Sequence, residues 1–295
     1  MGHHHHHSII DPSEYYWGEP TSNIDWCENN YVQSPYIAEF YNSVTSAIIS
    51  AYALYGIYLL TRMHNSYHHN LMAKEGFIGR LNIAYFSLFL VGAGSVAFHA
   101  TLLYQNQLFD ELPMIYTSLI LLYILMTVGE TKNANGTYKG GFLGNSLLRH
   151  ILPYLLVVYG LFITVTIIVI KDQPKILQIS YGALVIYIVL HSAFLIEKRD
   201  SESISTQRSP DNYLYRYAFC AFLAGYALWV TERFFCQDGY VIVGLQLHAI
   251  WHILTGLGVF VWTQFLICKL LEAKGYKIQL QHFLGIPNVV AIGKK

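Results

Sequence analysis

Charge is what this chain has least of. Only 12% of its 295 residues are Asp, Glu, Lys or Arg, 18 acidic against 18 basic, where a soluble domain carries roughly 25%. That scarcity excludes an ordinary soluble fold, and the zero net charge leaves no basic surplus for nucleic acid. No internal repeat is visible, no stretch reads as a soluble domain, and no cleavable signal peptide is evident before the first apolar segment. Cysteine is scarce too, with four in the chain.

Hydrophobic residues take the room, at 54%. They gather in seven runs, near 37–61, 81–103, 109–128, 150–170, 177–196, 215–232 and 243–268. A bilayer-spanning helix needs about 17–25 such residues. The expected fold is therefore all-α, a polytopic membrane protein with seven transmembrane helices. Lys and Arg are unevenly shared between its two sides. Fifteen fall in the connections 62–80, 129–149 and 197–216 and in the tail after 268, and three (Lys171, Lys175, Arg233) on the opposite side. By the positive-inside bias the amino terminus is expected to be lumenal or extracellular and the carboxyl terminus cytosolic. The sequon at Asn135 would then stay unmodified. The expected organisation is an amino-terminal tail over 1–14 with the run His3–His7, a membrane domain over 15–268, and a cytosolic tail over 269–295.

Ionisable groups inside membrane helices are costly, so each one is a functional candidate. The stretch "GLQLHAIWHILTGLG" places His248 and His252 one helical turn apart on one face. "GSVAFHATLLYQNQLFDELPM" does the same for Ser95 and His99, and after a short turn Asp110 and Glu111 are expected to open the third helix. With the expected topology these groups share one depth, toward the lumenal side. Three imidazoles leave a tetrahedral zinc ion one open position, the catalytic arrangement. The residue after the first His of the pair is Ala249, not the Glu of zinc hydrolase helices. Asp110 is then the candidate general base, with Ser95 placed to bond an oxyanion. The plainer reading is that Ser and His bond across helices as interhelical glue. His64, His68, His69, His150, His191 and His282 are assigned no role.

Ahead of the first helix, "YYWGEPTSNIDWCENNYVQSPYIAEF" supplies Asp25, Glu28, Asn30 and Glu39, hard oxygen donors that suit calcium, with the Trp26 carbonyl a further candidate. An acidic, aromatic interfacial cap explains the same stretch. Cys27 and Cys236 both fall on the oxidising side and are expected to pair. Cys220 and Cys268 are expected to be packed thiols.

These three blocks, in this order over about residues 15–260, resemble the signature blocks of the alkaline ceramidases. That resemblance implies a seven-helix membrane enzyme that hydrolyses ceramide, taken from within the bilayer, to a sphingoid base and a fatty acid, with an alkaline optimum. It implies zinc on His99, His248 and His252, and Ser95 and Asp110 in the catalytic shell. It implies a regulatory or structural calcium on Asp25, Trp26, Glu28, Asn30 and Glu39, and a disulfide between Cys27 and Cys236. Membrane lipids are the other expected partners, with no protein partner. Endoplasmic reticulum or Golgi is the expected address, with the plasma membrane open. A seven-helix zinc receptor of the same wider group would use the same ligands. A transporter would show paired half-repeats and broken helices, which the sequence lacks.

Overall fold

The computed structural model describes residues 14–62, 76–132, 138–144, 147–170, 174–202, 210–237 and 246–294. The His3–His7 run, His64, His68, His69 and the Asn135 sequon lie outside these residues. Among the described residues, seven helices are long and apolar enough to cross a membrane. They are α1 (Phe40–Arg62), α2 (Phe77–Thr101), α3 (Tyr104–Met126), α4 (Leu147–Val169), α5 (Pro174–Glu202), α6 (Asp211–Gln237) and α7 (Leu247–Ala273). The protein is an all-helical, multi-pass membrane protein.

Two small antiparallel hairpins accompany the helices, β1 (Glu130–Lys132) with β2 (Tyr138–Gly140) and β3 (Tyr276–Phe283) with β4 (Ile286–Lys294). The second occupies most of the stretch expected to be a tail. It turns at Leu284 and Gly285, both with positive φ, the left-handed geometry a tight turn needs.

Helix α3 starts at Tyr104, six residues before Asp110, so Asp110 and Glu111 sit in its second turn and do not open it. The polar run "YQNQLFDEL" hides this start from a hydropathy reading. The break before it is two residues long, and Leu102 takes it with φ 53°.

The chain forms two compact units. The first comprises Met1–Tyr55, Phe86–Met114 and Ala221–Leu257. Its core is Tyr15, Ile24, Trp26, Tyr31, Ala38, Phe98 and Leu102, with Trp229 packed against them. The amino-terminal segment is tied to the end of α2 through the backbone. Thr21 and Ser22 N–H both reach the Leu102 carbonyl at 3.0 Å, Ala38 N–H reaches Ala100 at 3.0 Å, and Glu39 N–H reaches His99 at 2.9 Å. A helix leaves its last carbonyls without partners of its own, and this segment supplies them.

The second unit comprises Gly56–Tyr85, Ile115–Cys220 and Gly258–Lys295. Here the β3–β4 hairpin is anchored by one amide. Gln264 accepts from Val289 N–H and donates to the Tyr85 hydroxyl, each at 2.9 Å. Two buried ion pairs, Glu130 with Arg149 at 2.6 Å and Asp211 with Lys269 at 2.9 Å, belong to its polar framework.

Candidate metal centre and active site

All the candidate site residues lie in the first unit. His99, two residues from the end of α2, meets His248 and His252 from the first two turns of α7. Their ligand nitrogens lie within 4.8 Å of one another, and all three side chains are buried.

Each ring is held by a different device. His99 Nδ1 bonds the Glu39 carboxylate, while its Nε2 is buried with no hydrogen-bond partner among the described residues. His248 stacks on Trp26, with centroids 3.6 Å apart and planes 14° apart, and its Nδ1 also has no partner among them. His252 Nδ1 lies 3.1 Å from Thr45 Oγ1 and 3.2 Å from Ser46 Oγ. Thr45 can give its proton to the Tyr41 carbonyl at 2.8 Å, and Ser46 its one proton to Ser95 Oγ at 2.9 Å, which leaves both oxygens to accept from the ring. The network thus assigns the ring proton to His252 Nδ1 and leaves Nε2 as a lone pair.

Two buried ring nitrogens without partners, in one cluster with a third ring whose Nε2 is a lone pair, form a donor set that fits a divalent ion. An orphaned buried polar atom is otherwise a net cost. The carboxylate behind His99 is the outer-shell partner that metal-bound imidazoles commonly carry.

Ser95 is buried beside this cluster. It accepts from Ser46 Oγ at 2.9 Å and bonds the Asp110 carboxylate. Asp110 as a residue is only partly buried. Two glycines of α2 bring these groups together. A Cβ on Gly94 would sit 2.0 Å from the Phe109 carbonyl oxygen, and one on Gly92 would sit 2.4 Å from Ser50 Oγ. Helix α2 therefore touches α3 backbone on one side and α1 on the other. That close approach sets Ser95 against Asp110 and Ser46.

The oxygen-rich segment gathers next to His99. Glu39 Oε1 accepts from Trp26 N–H at 3.0 Å, and its Oε2 accepts from Asn42 Nδ2 at 3.1 Å. Asp25 bonds Glu39 and lies 3.5 Å from Asn30 Nδ2. Asn30 Oδ1 is buried with no hydrogen-bond partner among the described residues. Glu28 caps α1, accepting from Tyr41 N–H at 2.7 Å and Asn42 N–H at 2.9 Å, the placement an anion takes at a helix start. Burial pushes Glu28 up to about 7 and Glu39 up to about 8, each also raised by a neighbouring carboxylate. Crowded buried carboxylates beside an orphaned amide oxygen fit a hard cation.

Cys27 and Cys236 are joined, with Cα atoms 5.6 Å apart. Cys268 is buried, whereas Cys220 faces outward from α6 and is not the packed thiol expected. His150, His191 and His282 belong to the other unit.

Several contributors escaped the sequence reading: Glu39 as the partner of His99, the hydroxyls of Thr45 and Ser46, and Gly92 and Gly94 of α2. One signal was available. Asn42, Thr45 and Ser46 form a polar stripe at helical spacing in an otherwise apolar segment, which marks an inward face.

Residues 18–290 match the family model Ceramidase. The Dictyostelium discoideum protein dcd3A, whose name marks it as a candidate alkaline ceramidase, is 55% identical over 280 residues, 94% of this chain and 96% of its own. Alkaline ceramidase YPC1 of Saccharomyces cerevisiae is 33% identical, covering 83% of this chain and 75% of its own. Alkaline ceramidase 3 of Mus musculus is 31% identical over 92% of each chain.

Proposed function

This chain belongs to the ceramidase family, and from that premise we propose that it is a zinc-dependent intramembrane amidase cleaving ceramide to a sphingoid base and a free fatty acid. The observation that supports it best is the convergence of His99, His248 and His252, two of them with orphaned ring nitrogens, beside the Ser95–Asp110 pair. His99 Nε2, His248 Nδ1 and His252 Nε2 would hold the ion. A zinc ion so bound supplies Lewis acidity and lowers the pKa of water toward 7.

Asp110 is the proton carrier. It takes a proton from the attacking water as the C–O bond forms and returns one to the amine nitrogen as the C–N bond breaks. Ser95 first holds the Asp110 carboxylate. Once Asp110 is protonated, its hydroxyl is free to turn toward the developing oxyanion, with Ser46 donating from behind. Glu39 and the α1 hydroxyls fix the His99 and His252 rings. Burial of all three imidazoles keeps bulk water from competing. Neutral ligands favour alkaline conditions, since acid protonates imidazoles and releases the metal.

Asp25, the Trp26 carbonyl, Glu28, Asn30 and Glu39 make a calcium site that modulates the enzyme through Glu39, which contacts His99. The amino terminus is lumenal and the carboxyl terminus cytosolic. Endoplasmic reticulum or Golgi is the address proposed.

The test is sphingoid-base release from a ceramide panel by purified protein and its His252→Ala variant near pH 9, with zinc content read on the same samples. Release by wild type alone, with zinc lost from the variant, is the expected result. A folded, zinc-loaded wild type that cleaves no ceramide overturns the reading.

A further inference from the structure

Glu232 of α6 is 3% exposed and forms no ion pair among the described residues. Burying a carboxylate without a counterion is expensive unless backbone donors replace water. Its oxygens face two separate strands of chain. Oε1 accepts from Cys27 N–H at 3.3 Å, and Oε2 accepts from His248 N–H at 2.5 Å, with Leu247 N–H a further donor. Leu247 and His248 are the first two residues of α7, so these are N–H groups that no helix satisfies by itself. A residue immediately before the helix normally caps them. Here Gln246 stands there, and the cap comes from a different helix.

This matters for the metal centre because of where His248 sits. His99 is two residues from the end of α2, and its carbonyl is tied to Glu39 N–H. His252 is a full turn inside α7. His248 alone lies in an opening turn, where helices fray, and apart from the other two imidazoles the aromatic ring packed on it among the described residues is Trp26. The Cys27 amide on the other oxygen belongs to the segment that carries Trp26. One carboxylate therefore holds both the backbone of His248 and the strand that supports its ring.

We propose that Glu232 is a positioning residue for His248, fixing the opening turn of α7 and the Trp26 strand so that the third imidazole is preformed for the metal. The inference rests on the metal reading of the three histidines. Glu232→Gln keeps the side-chain volume but offers one acceptor oxygen, so an NH2 group must face one set of backbone N–H donors.

The experiment compares wild type with Glu232→Gln, using zinc alone as the probe. Affinity is read by competition with a chromogenic chelator, and amide exchange at residues 247–249 is read in metal-free protein. Zinc affinity should fall by about tenfold to a hundredfold in the variant, as outer-shell losses do. Exchange at Leu247 and His248 should quicken, while the interior of α7 near Thr263 stays protected. A variant with wild-type zinc affinity and wild-type exchange overturns the proposal, whatever its melting temperature. A wild type that binds zinc but cleaves no ceramide defeats the amidase reading alone. A wild type that holds no zinc overturns the preformed-ligand claim together with the metal reading, and unchanged exchange overturns the hold on the opening turn of α7 by itself.

Discussion

His99 and Glu39 are bonded in the interior of the first unit, and neither side chain is exposed to solvent. Glu39 precedes α1 by one residue, and the same carboxylate takes Trp26 N–H and the Asn42 amide. One side chain thus joins the amino-terminal segment, the start of α1 and the end of α2. Its removal acts on a metal ligand and on buried donors together.

Glu39→Gln is therefore expected to lower zinc affinity by about tenfold to a hundredfold, the usual cost of losing an outer-shell carboxylate. Glu39→Ala should in addition lose about 1–3 kcal/mol of stability for each buried donor left without a partner. Chelator competition in calcium-free buffer, paired with thermal unfolding, separates the two effects. Unchanged zinc affinity in Glu39→Gln would show that the carboxylate does not orient His99.

Gly94→Ala tests the close approach of α2 and α3. The added methyl would lie 2.0 Å from a backbone oxygen of Phe109, and a two-residue connection leaves the helices little room to separate. A loss of roughly 3 kcal/mol, at the upper end for overpacking, is expected, with Asp110 pushed away from Ser95. Gly79 on the same helix has nothing within 4 Å of a built Cβ, so Gly79→Ala should be neutral or gain up to about 1 kcal/mol from helix propensity. Equal melting temperatures for the two variants would contradict the packing described here.

The seven helices were legible because span length and the cost of charge in lipid leave few alternatives. The His99, His248 and His252 cluster was legible for the same reason, since rare groups in an apolar setting stand out. The bond from Glu39 to His99 was not, and neither was Glu232. Each residue lies at a helix margin, where acids are common, and what matters is which N–H groups or rings they meet through the fold. Gly92 and Gly94 were equally silent, because a glycine in an apolar helix does not say which backbone comes near. Asp110 was singled out as a candidate, but its place in the second turn of α3 was not legible, since polar residues in that helix's opening turns resemble a loop.

Calcium removal should weaken the first unit. A ligand held at a hundred times its dissociation constant stabilises by about 2.7 kcal/mol, so a calcium-selective chelator should lower the melting temperature measurably. Asn30→Ala removes the amide oxygen that is buried without a hydrogen-bond partner and should abolish this sensitivity, leaving the zinc content unchanged. A chelator shift of the same size in Asn30→Ala would remove Asn30 from the ligand set.

In the second unit, Asp211 and Lys269 form a pair in which both side chains are buried, at 2.9 Å. Asp211 also accepts from Asn212 N–H at 2.6 Å, at the start of α6. The attraction between two buried charges is largely offset by their desolvation, so the pair itself contributes little net stability. Breaking it is different, because the surviving charge keeps its desolvation cost and loses its nearest opposite charge, with Glu272 at 3.5 Å a more distant one for Lys269. Asp211→Asn is expected to lose about 3–5 kcal/mol, and Lys269→Met a similar amount. The double variant, with neither charge buried, should lose clearly less than the sum of the two. Thermal or denaturant unfolding of the four proteins in one detergent gives the coupling directly. A purely additive cycle would mean that the two charges are held by other partners and that the pair does not couple α6 to α7.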